Sequence, residues 1–464
     1  MGLFHLLANA DITIFKETFN ISLSWVGDII KWLITGVGSV GVGIILFSLI
    51  LKVIVLPFDV FQRVTMRKQN IKMKENQEKM EKLQKQYAND KNMYQQKVME
   101  MYKQSGMSMF SSCLPMILSL VIFIVAINGF NAYSQYANVE NYNAMVEAYS
   151  AKVQTYCVDE DDVKTYTYEN GVIKVDAADK YIYYTIPATA DYSASSQAEL
   201  ATAVQNYDGE ISYFVKSSIS ADFEEKAAIE AYVGDRVGDE ASQAVKAYIQ
   251  GKAQDEVVKV YDEEISSRTK FIWIKNVWVT DASYKSPVVK DANEFITSMS
   301  REDFDVNGED VGAPQISAHT NAYNDYVYDE VTRKLTTAKD ASNGYFVLIA
   351  LSIGTILLQQ LVTMRSQKEQ QKYSSVDGQG ASQQKMMLIM MTGMFAIFSF
   401  MYSSAFSIYM ITSNIFSLVS TLVINKIVDV VAYKKEVKAM QDKYNQRFPG
   451  RVAPSDKKNG KKSK

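Results

Sequence analysis

The hydrophobic residues of this chain are concentrated in long runs toward both ends, and the residues between them are mainly polar. The first run covers 41–58 and reads GVGIILFSLILKVIVLPF, with one cation, Lys52, inside it. A helix needs about 20 apolar residues to cross a bilayer, so this run predicts a membrane span. Similar runs follow at 113–130, 345–364 and 386–427. The last is too long for one crossing and has a polar break at 402–404, so the pattern predicts five spans.

The fold class predicted from this pattern is an all-α polytopic membrane protein with a five-span core, a cytoplasmic helical hairpin and a large α+β extracytoplasmic insert. The predicted segments are an N-terminal interfacial segment (1–36), span one (37–58), the hairpin (59–108), span two (109–130), the acidic insert (131–344), span three (345–364), a cytoplasmic loop (365–385), span four (386–402), span five (405–427) and a basic cytoplasmic tail (428–464).

The N-terminal segment precedes the first span. The triplet Ala8-Asn9-Ala10 is similar to a signal-peptidase site, but no basic region precedes it and its apolar run is short. We therefore expect no cleavage there. Trp25 and Trp32 instead predict a helix that lies at the membrane surface, where tryptophan is enriched.

The insert shows two local signals of folded structure. Residues 164–175, KTYTYENGVIKV, alternate about Asn170-Gly171, which predicts a hairpin with a type I′ turn. Ser196 and Glu199 form a capping-box pattern that opens a helical region reaching about residue 267. The insert is therefore predicted to be a small α+β domain.

Charge is divided unevenly along the 464 residues, although the net charge is only −3. Lys plus Arg exceed Asp plus Glu by eleven to five in 62–108, four to two in 364–385 and twelve to four in 426–464, whereas 131–342 contains nineteen against thirty-seven. Basic loops favour the cytoplasmic side of a membrane. The hairpin, the 365–385 loop and the C-terminus are therefore predicted inside, and the N-terminus and the insert outside.

Cysteine and histidine are rare in this chain. Cys113 and Cys157 lie in different segments and indicate no disulfide framework. The two histidines, His5 and His319, argue against histidine-based catalysis or a histidine metal site. We predict no metal, no cofactor and no enzymatic activity, and no GxxxxGK[ST] motif is present to suggest ATP hydrolysis.

Lys52 permits two interpretations. A cation inside a span costs roughly 2.5–3.5 kcal/mol at the helix centre, so it usually faces water, a partner or the interior of a helix bundle. Alternatively, its long side chain extends to the headgroups past Phe58, which lies six residues away or ~9 Å along a helix. The span by itself leaves both interpretations open.

The predicted hairpin contains methionine and aromatic residues at helical spacing. Met80, Leu83 and Tyr87 recur at three- and four-residue steps, as do Met99 and Tyr102. Such residues form either an ordinary seam between two helices or a pliable methionine-rich docking surface. We favour the seam for most of them.

Several short motifs together resemble the YidC-type membrane protein insertase family. The family's cation five residues before a proline corresponds to Lys52 before Pro57, although the family has arginine there. Its QPEMxxLQxKY-like run is similar to QEKMEKLQKQY at 77–87, its LYKxxG to MYKQSG at 101–106, and its GCLP to SCLP at 112–115. Its FLWIPDL and LYWxxSN segments are similar to FIWIKN at 271–276 and to Tyr409, Ser413 and Asn414.

The resemblance implies a five-span core around a water-filled groove that opens to the cytosol and to lipid. The residues that it places in this substrate groove are Lys52, Ser119, Gln359, Gln360, Tyr409, Ser413 and Asn414. The residues that it places on the cytoplasmic hairpin are Gln77, Met80, Leu83, Tyr87 and Tyr102. Lysine at position 52 keeps the positive charge of the family's arginine but lacks its bidentate geometry.

The resemblance also implies a function, namely an insertase and chaperone of the bacterial plasma membrane that receives nascent membrane proteins and transfers them into the lipid bilayer. The ribosome and a Sec-type channel are further candidate partners, and no specific nucleic acid sequence is expected. Two alternatives remain open at this point. One is a membrane transporter, and the other is a membrane-anchored protein that binds partners through its acidic insert.

Overall fold

A computed structural model describes residues 12, 14–15, 19–21, 23–104, 110–159, 163–292, 294–295, 304–306, 309–311, 327–366 and 379–447, with the backbone alone at 110–120 and at some other positions. The chain forms two compact units. Met1–Asp28 and Asn131–Tyr345 form one, here called the mixed unit, and Ile29–Phe130 and Phe346–Lys464 form the other, the helical unit.

Long helices dominate the chain. They are α1 (Trp25–Val37), α2 (Val40–Gln86), α3 (Lys91–Gln104), α4 (Phe110–Gln154), α5 (Gln197–Gln205), α6 (Lys226–Val233), α7 (Gly238–Val260), which continues through a π-helical turn (Tyr261–Ile265) into α8 (Ser266–Thr269), α9 (Thr336–Asp340), α10 (Val347–Ser366), α11 (Gln379–Met401) and α12 (Ser404–Arg447). The sequence analysis correctly predicted a mainly helical chain with long apolar helices.

Three helices in the described part of the chain are long and apolar enough to cross a membrane. The apolar stretches are Val40–Thr65 in α2, Val347–Arg365 in α10 and Ser404–Val428 in α12, and they overlap predicted spans one, three and five. A shorter apolar stretch, Thr392–Met401, lies in α11 where span four is predicted. Spans two and four therefore stay predictions.

Helix α2 continues past the predicted end of span one. Its 47 residues run without interruption from Val40 to Gln86, with Pro57 inside. A proline removes one backbone hydrogen bond from a helix but need not end it when packing holds both sides. The helix is thus not broken at the predicted boundary between span one and the hairpin. The residues just after Phe58 belong to the same continuous helix as Lys52.

The C-terminal half of α2 packs against α3. The two helices are joined by residues 87–90, and the Tyr102 hydroxyl donates to Met80 Sδ over 3.4 Å. Met80 and Met101 are buried, whereas Met93 and Met99 are exposed. Gln77, Leu83 and Tyr87 are partly buried. This arrangement agrees with a hairpin seam at Met80 and Tyr102.

The mixed unit contains a four-stranded antiparallel sheet in the order β2–β3–β4–β5, formed by Thr165–Glu169, Val172–Asp176, Ile182–Pro187 and Ser212–Val215. The predicted hairpin is confirmed, because Asn170 and Gly171 both have positive φ, 52° and 78°, as a type I′ turn requires. The predicted capping box is confirmed as well. Glu199 N donates to Ser196 Oγ over 3.4 Å, and Ser196 N donates to the Glu199 carboxylate over 2.8 Å.

The N-terminal residues are part of the mixed unit. Strand β1 (Phe19–Ile21) pairs with β6 (Phe304–Val306), which pairs with β7 (Glu309–Val311). Ile12 and Phe15 are buried in the main core, where the Phe15 ring lies 5.4 Å from that of Tyr149. The sequence analysis treated 1–36 as one interfacial segment and missed these long-range contacts. Trp25 and Trp32 are 70% and 72% exposed on α1, and their position at a membrane surface stays a prediction.

Residues 271–281 are held by a side-chain amide network just before α10. Asn276 N donates to Asn343 Oδ1 over 2.8 Å, and Asn343 Nδ2 donates back to Asn276 O over 2.9 Å. The buried Asp281 carboxylate accepts from Tyr345 N over 2.7 Å. These bonds satisfy polar groups that would be costly to bury alone. These hydrogen bonds hold residues 343–345, the last residues of the mixed unit, against residues 276–281.

Glu225 joins three helices of the mixed unit. Its carboxylate accepts from Tyr156 Oη over 2.6 Å, from Lys152 Nζ over 3.1 Å and from Tyr248 Oη over 3.3 Å. Burial acts to raise the pKa of Glu225, but these hydrogen bonds outweigh burial and hold the pKa below its ordinary value of 4.5.

A lowered carboxyl pKa stabilises the folded state above the unfolded-state pKa, and the stabilisation disappears as the pH falls through the lower folded-state pKa. We therefore expect Glu225→Gln to lower the thermal midpoint of the full-length protein in detergent at neutral pH, and the difference from wild type to shrink below about pH 4.5. The adjacent Glu224, which is exposed, provides the control Glu224→Gln. A difference that is independent of pH would contradict this assignment.

Candidate functional site

The helical unit contains a cavity of about 290 Å³ between α2, α4, α10, α11 and α12. Its walls combine apolar side chains with charged and hydroxyl groups. The polar and charged lining residues are Lys52, Asp59, Gln62, Arg63, Gln359, Thr363, Tyr409, Ser413, Asn414, Ser417, Ser420 and Thr421. A cavity with this lining can hold water inside an otherwise apolar helix bundle.

The charged wall of the cavity belongs to α2. Lys52, Asp59 and Arg63 lie seven and four residues apart, and at 3.6 residues per turn these steps place them on one face of the helix. Their neighbours Val53 and Ile54 are exposed on other faces, where lipid would cover them. The structure therefore places Lys52 on the cavity wall, as the first of the two interpretations requires.

Sequence reasoning missed Asp59 and Arg63. It ended the first span at Phe58, the last residue of the apolar run, and it assigned both charges to the hairpin, which was predicted to begin at residue 59. The uninterrupted helix through Pro57 instead brings them to the cavity. The available signal was the spacing of the three charges, which repeats close to whole helical turns.

The opposite wall belongs to α12 and carries hydroxyl and amide groups. Ser413, Ser417 and Thr421 follow at four-residue steps on one helix face. Thr421 Oγ1 accepts from Arg63 Nη2 over 3.1 Å, and this bond ties the two walls together. Asn414 Nδ2 lies 3.4 Å from Thr355 Oγ1 on α10.

Ser413 Oγ is buried beside Tyr409. It has no hydrogen bond of good geometry with the atoms that the structure describes. A buried hydroxyl of this kind gains free energy from any water or ligand group that reaches it. This wall therefore offers hydrogen-bonding capacity to an occupant of the cavity.

Two adjacent glutamines on α10 point in different directions. Gln359 lines the cavity. Gln360 accepts a hydrogen bond over 2.6 Å from Thr392 Oγ1 on α11, and a second polar contact between these helices joins Ser352 and Ser399 over 3.0 Å. Successive residues on a helix are about 100° apart, so one glutamine can face the cavity while its neighbour faces α11. Gln360 connects α10 to α11.

An aromatic cluster bounds the cavity. The Phe123 ring lies 4.7 Å from Phe395 and 5.8 Å from Phe406, and Tyr409 lies 5.4 Å from Phe130. Phe123, Phe395 and Tyr409 also line the cavity. The cavity is thus lined by packed aromatic rings as well as by the charged residues of α2.

The predicted site residues divide as follows. Lys52, Gln359, Tyr409, Ser413 and Asn414 lie together around the cavity, and Gln360 does not line it. The side chain of Ser119 lies outside the described residues. Gln77, Met80, Leu83, Tyr87 and Tyr102 lie apart from the cavity, along α2, α3 and the turn between them. Among the described residues no group of three or more His, Cys, Asp or Glu is placed to hold a metal ion.

Several relatives match parts of the chain, among them three that are each described as a membrane protein insertase YidC. The proteins from Caldanaerobacter subterraneus subsp. tengcongensis, Fusobacterium nucleatum subsp. nucleatum and Clostridium tetani are 34%, 36% and 38% identical over 98, 86 and 93 residues. These alignments cover 21%, 18% and 20% of this chain and 46%, 40% and 40% of the relatives. The chain thus spans less than half the length of the curated relatives it matches. No solved structure matches it significantly.

A family model agrees with the resemblance found in the motifs. The model described as 60Kd inner membrane protein matches residues 32–207 and 257–431, which together make up more than half of the chain. The matched stretches include every residue that lines the cavity. The protein therefore belongs to the 60Kd inner membrane protein family, the family of the YidC insertases.

Proposed function

We propose that this protein inserts other membrane proteins into the bilayer of a bacterial plasma membrane. The observation that carries this proposal is the polar cavity with Lys52 on its wall, formed between helices long enough to span a membrane. Such groups would be costly against lipid. Inside membrane proteins they usually mark the path of a substrate, an ion or a proton. The membership of the YidC family supports the same function.

The topology that goes with this function has five spans. The N-terminal part of α4 serves as span two and α11 as span four, in addition to the three membrane-capable stretches. The excess of Lys and Arg in 62–108, 364–385 and 426–464 places the α2–α3 hairpin, the loop before α11 and the C-terminus in the cytosol. The acidic insert and the N-terminus then lie outside.

The proposed mechanism lowers the barrier for moving polar peptide through hydrocarbon. A hydrophilic segment of the incoming protein enters the cavity, where Lys52 attracts its acidic groups and the hydroxyls of α12 replace part of its hydration. The segment then crosses a thinner apolar layer, because part of its path is already polar. Its apolar segment moves along α10 and α12 into lipid, and burial of that segment drives the reaction forward.

The partners follow from this mechanism. They are nascent membrane proteins and the lipid bilayer, and we further propose the ribosome and a Sec-type channel as the source of some substrates. The basic tail carries twelve Lys or Arg against four Asp or Glu in 426–464, and this charge would attract ribosomal RNA or anionic lipid without reading a sequence.

A photo-crosslinking amino acid at Gln359 tests this function. Gln359 lines the cavity, whereas the adjacent Leu358 is exposed on another face of α10 and serves as the matched control. During translation of a short single-span protein we expect adducts with the nascent chain from position 359 at several times the yield from position 358. Adducts with small solutes only, and none with nascent chains, would instead support a transporter.

A further inference from the structure

Asp59 is a charged group in the cavity that the proposed function does not use. It lies on α2 between Lys52 and Arg63, within electrostatic range of both, and it lines the same cavity. An acidic residue on the wall of a groove that attracts acidic segments works against that attraction. Its presence in this position calls for a role of its own.

The Asp59 carboxylate is available to a ligand. It is partly buried, and no hydrogen bond or ion pair within 4.0 Å joins it to another described residue. Arg63, by contrast, donates to Thr421 across the cavity. A carboxylate that borders a cavity without a donor of its own gains most from a cationic or N–H group on an incoming molecule.

The three charges form a series of alternating sign along one helix face. Lys52 and Asp59 are separated by ~10.5 Å along the helix axis, and Asp59 and Arg63 by ~6 Å. An extended peptide covers ~3.3 Å per residue and its side chains alternate between two faces, so the same-face positions that bracket ~10.5 Å are two (~6.6 Å) and four (~13 Å) residues apart. A peptide with an acidic residue opposite Lys52 would thus place a residue two or four positions away on the same side, where a long Lys or Arg side chain can span the remaining distance to Asp59.

We propose that Asp59 is a specificity-determining residue, which binds a Lys or Arg side chain of the segment in transit and selects segments that carry an acidic and a basic residue two or four positions apart. This inference rests on the proposed insertase function and names the class of segment that the cavity prefers. Asp59 also rejects segments whose negative charge is not balanced by a cation at that spacing.

The test uses the full-length protein in proteoliposomes with a single-span reporter whose short translocated segment is varied. One segment has two acidic residues, a second has an acidic and a basic residue two or four positions apart, and a third has two neutral polar residues. Asp59→Asn keeps the shape and removes the charge, Asp59→Glu keeps the charge, and Asp235→Asn, an exposed position in the mixed unit, is the control.

We expect Asp59→Asn to lower insertion of the mixed-charge segment about tenfold, the effect of one charge-assisted contact, and to leave the acidic segment unchanged or improved. Asp59→Glu should restore the preference, and Asp235→Asn should match wild type. An equal loss for all three segments, or no change for any, would overturn the specificity role. If wild type inserts none of the segments, the proposed insertase function itself fails.

Discussion

Charge reversal at Lys52 is expected to reduce insertion of an acidic-tailed single-span protein about a hundredfold. Lys52→Glu would place a second carboxylate two turns from Asp59 on the cavity wall, so the wall would repel the acidic segment that it now attracts. Loss of one partner of a close, desolvated charge pair costs about 2–5 kcal/mol, and each 1.4 kcal/mol is a factor of ten. The measurement is the initial rate of insertion into proteoliposomes, followed by protease protection of the reporter.

Two variants separate this effect from misfolding. Lys52→Arg keeps the positive charge and should retain most of the activity, because attraction at this position depends on charge more than on bidentate geometry. Lys68→Glu reverses an exposed charge farther along the same helix and should be nearly neutral. If Lys52→Glu folds and inserts like wild type, or if Lys52→Arg fails equally, Lys52 does not act through its charge.

Local signals in the sequence were sufficient for several elements. The Asn170-Gly171 turn and the Ser196–Glu199 capping box depend on residues within four positions of one another, and both are present as expected. Membrane-capable helices were found for a similar reason, since length and hydropathy are properties of one contiguous segment. Each of these features depends on residues that are close together in the sequence.

Features that depend on tertiary packing were not predictable in the same way. The pairing of β1 with β6 joins residues nearly 300 positions apart, and nothing local marks Phe19–Ile21 as a strand of that sheet. Which of the two glutamines, Gln359 or Gln360, lines the cavity depends on how α10 is rotated about its axis relative to the neighbouring helices. A single sequence gives the periodicity of a helix but not its rotation within a bundle.

The candidate site lies between these two cases. Lys52 was identified because a cation inside an apolar run is conspicuous. Asp59 and Arg63 were missed because they lie beyond the apolar run, in the segment assigned to the hairpin. The observed continuity of α2 places them on the same helix face as Lys52. The charge pattern of the cavity is therefore alternating, and a prediction based on Lys52 alone describes it as simply positive.

The largest effect on stability is expected at Gly344, next to the Asn276–Asn343 network. A Cβ atom at this position would overlap Asp281 Oδ1 and approach Asp281 Cγ to 2.8 Å and Cα to 3.0 Å. The side chain cannot simply rotate away, since Asp281 is fully buried and accepts from Tyr345 N, and the close approach to Cα involves the backbone. Gly344→Ala should therefore destabilise the mixed unit by about 3 kcal/mol, by overpacking and by disturbing a buried carboxylate.

This destabilisation is measured by pulse proteolysis of the full-length protein in detergent across a urea series, following cleavage within 131–345. Gly251→Ala is the matched control in the same unit, because its Cβ would meet only Lys334 Nζ at 3.5 Å, an ordinary contact, and alanine favours the helix there. The Gly344→Ala midpoint should fall well below wild type, while that of Gly251→Ala should equal or exceed it. Equal midpoints for the two variants would show that residues 281 and 344 separate without cost, and that the end of the mixed unit is not held by close packing.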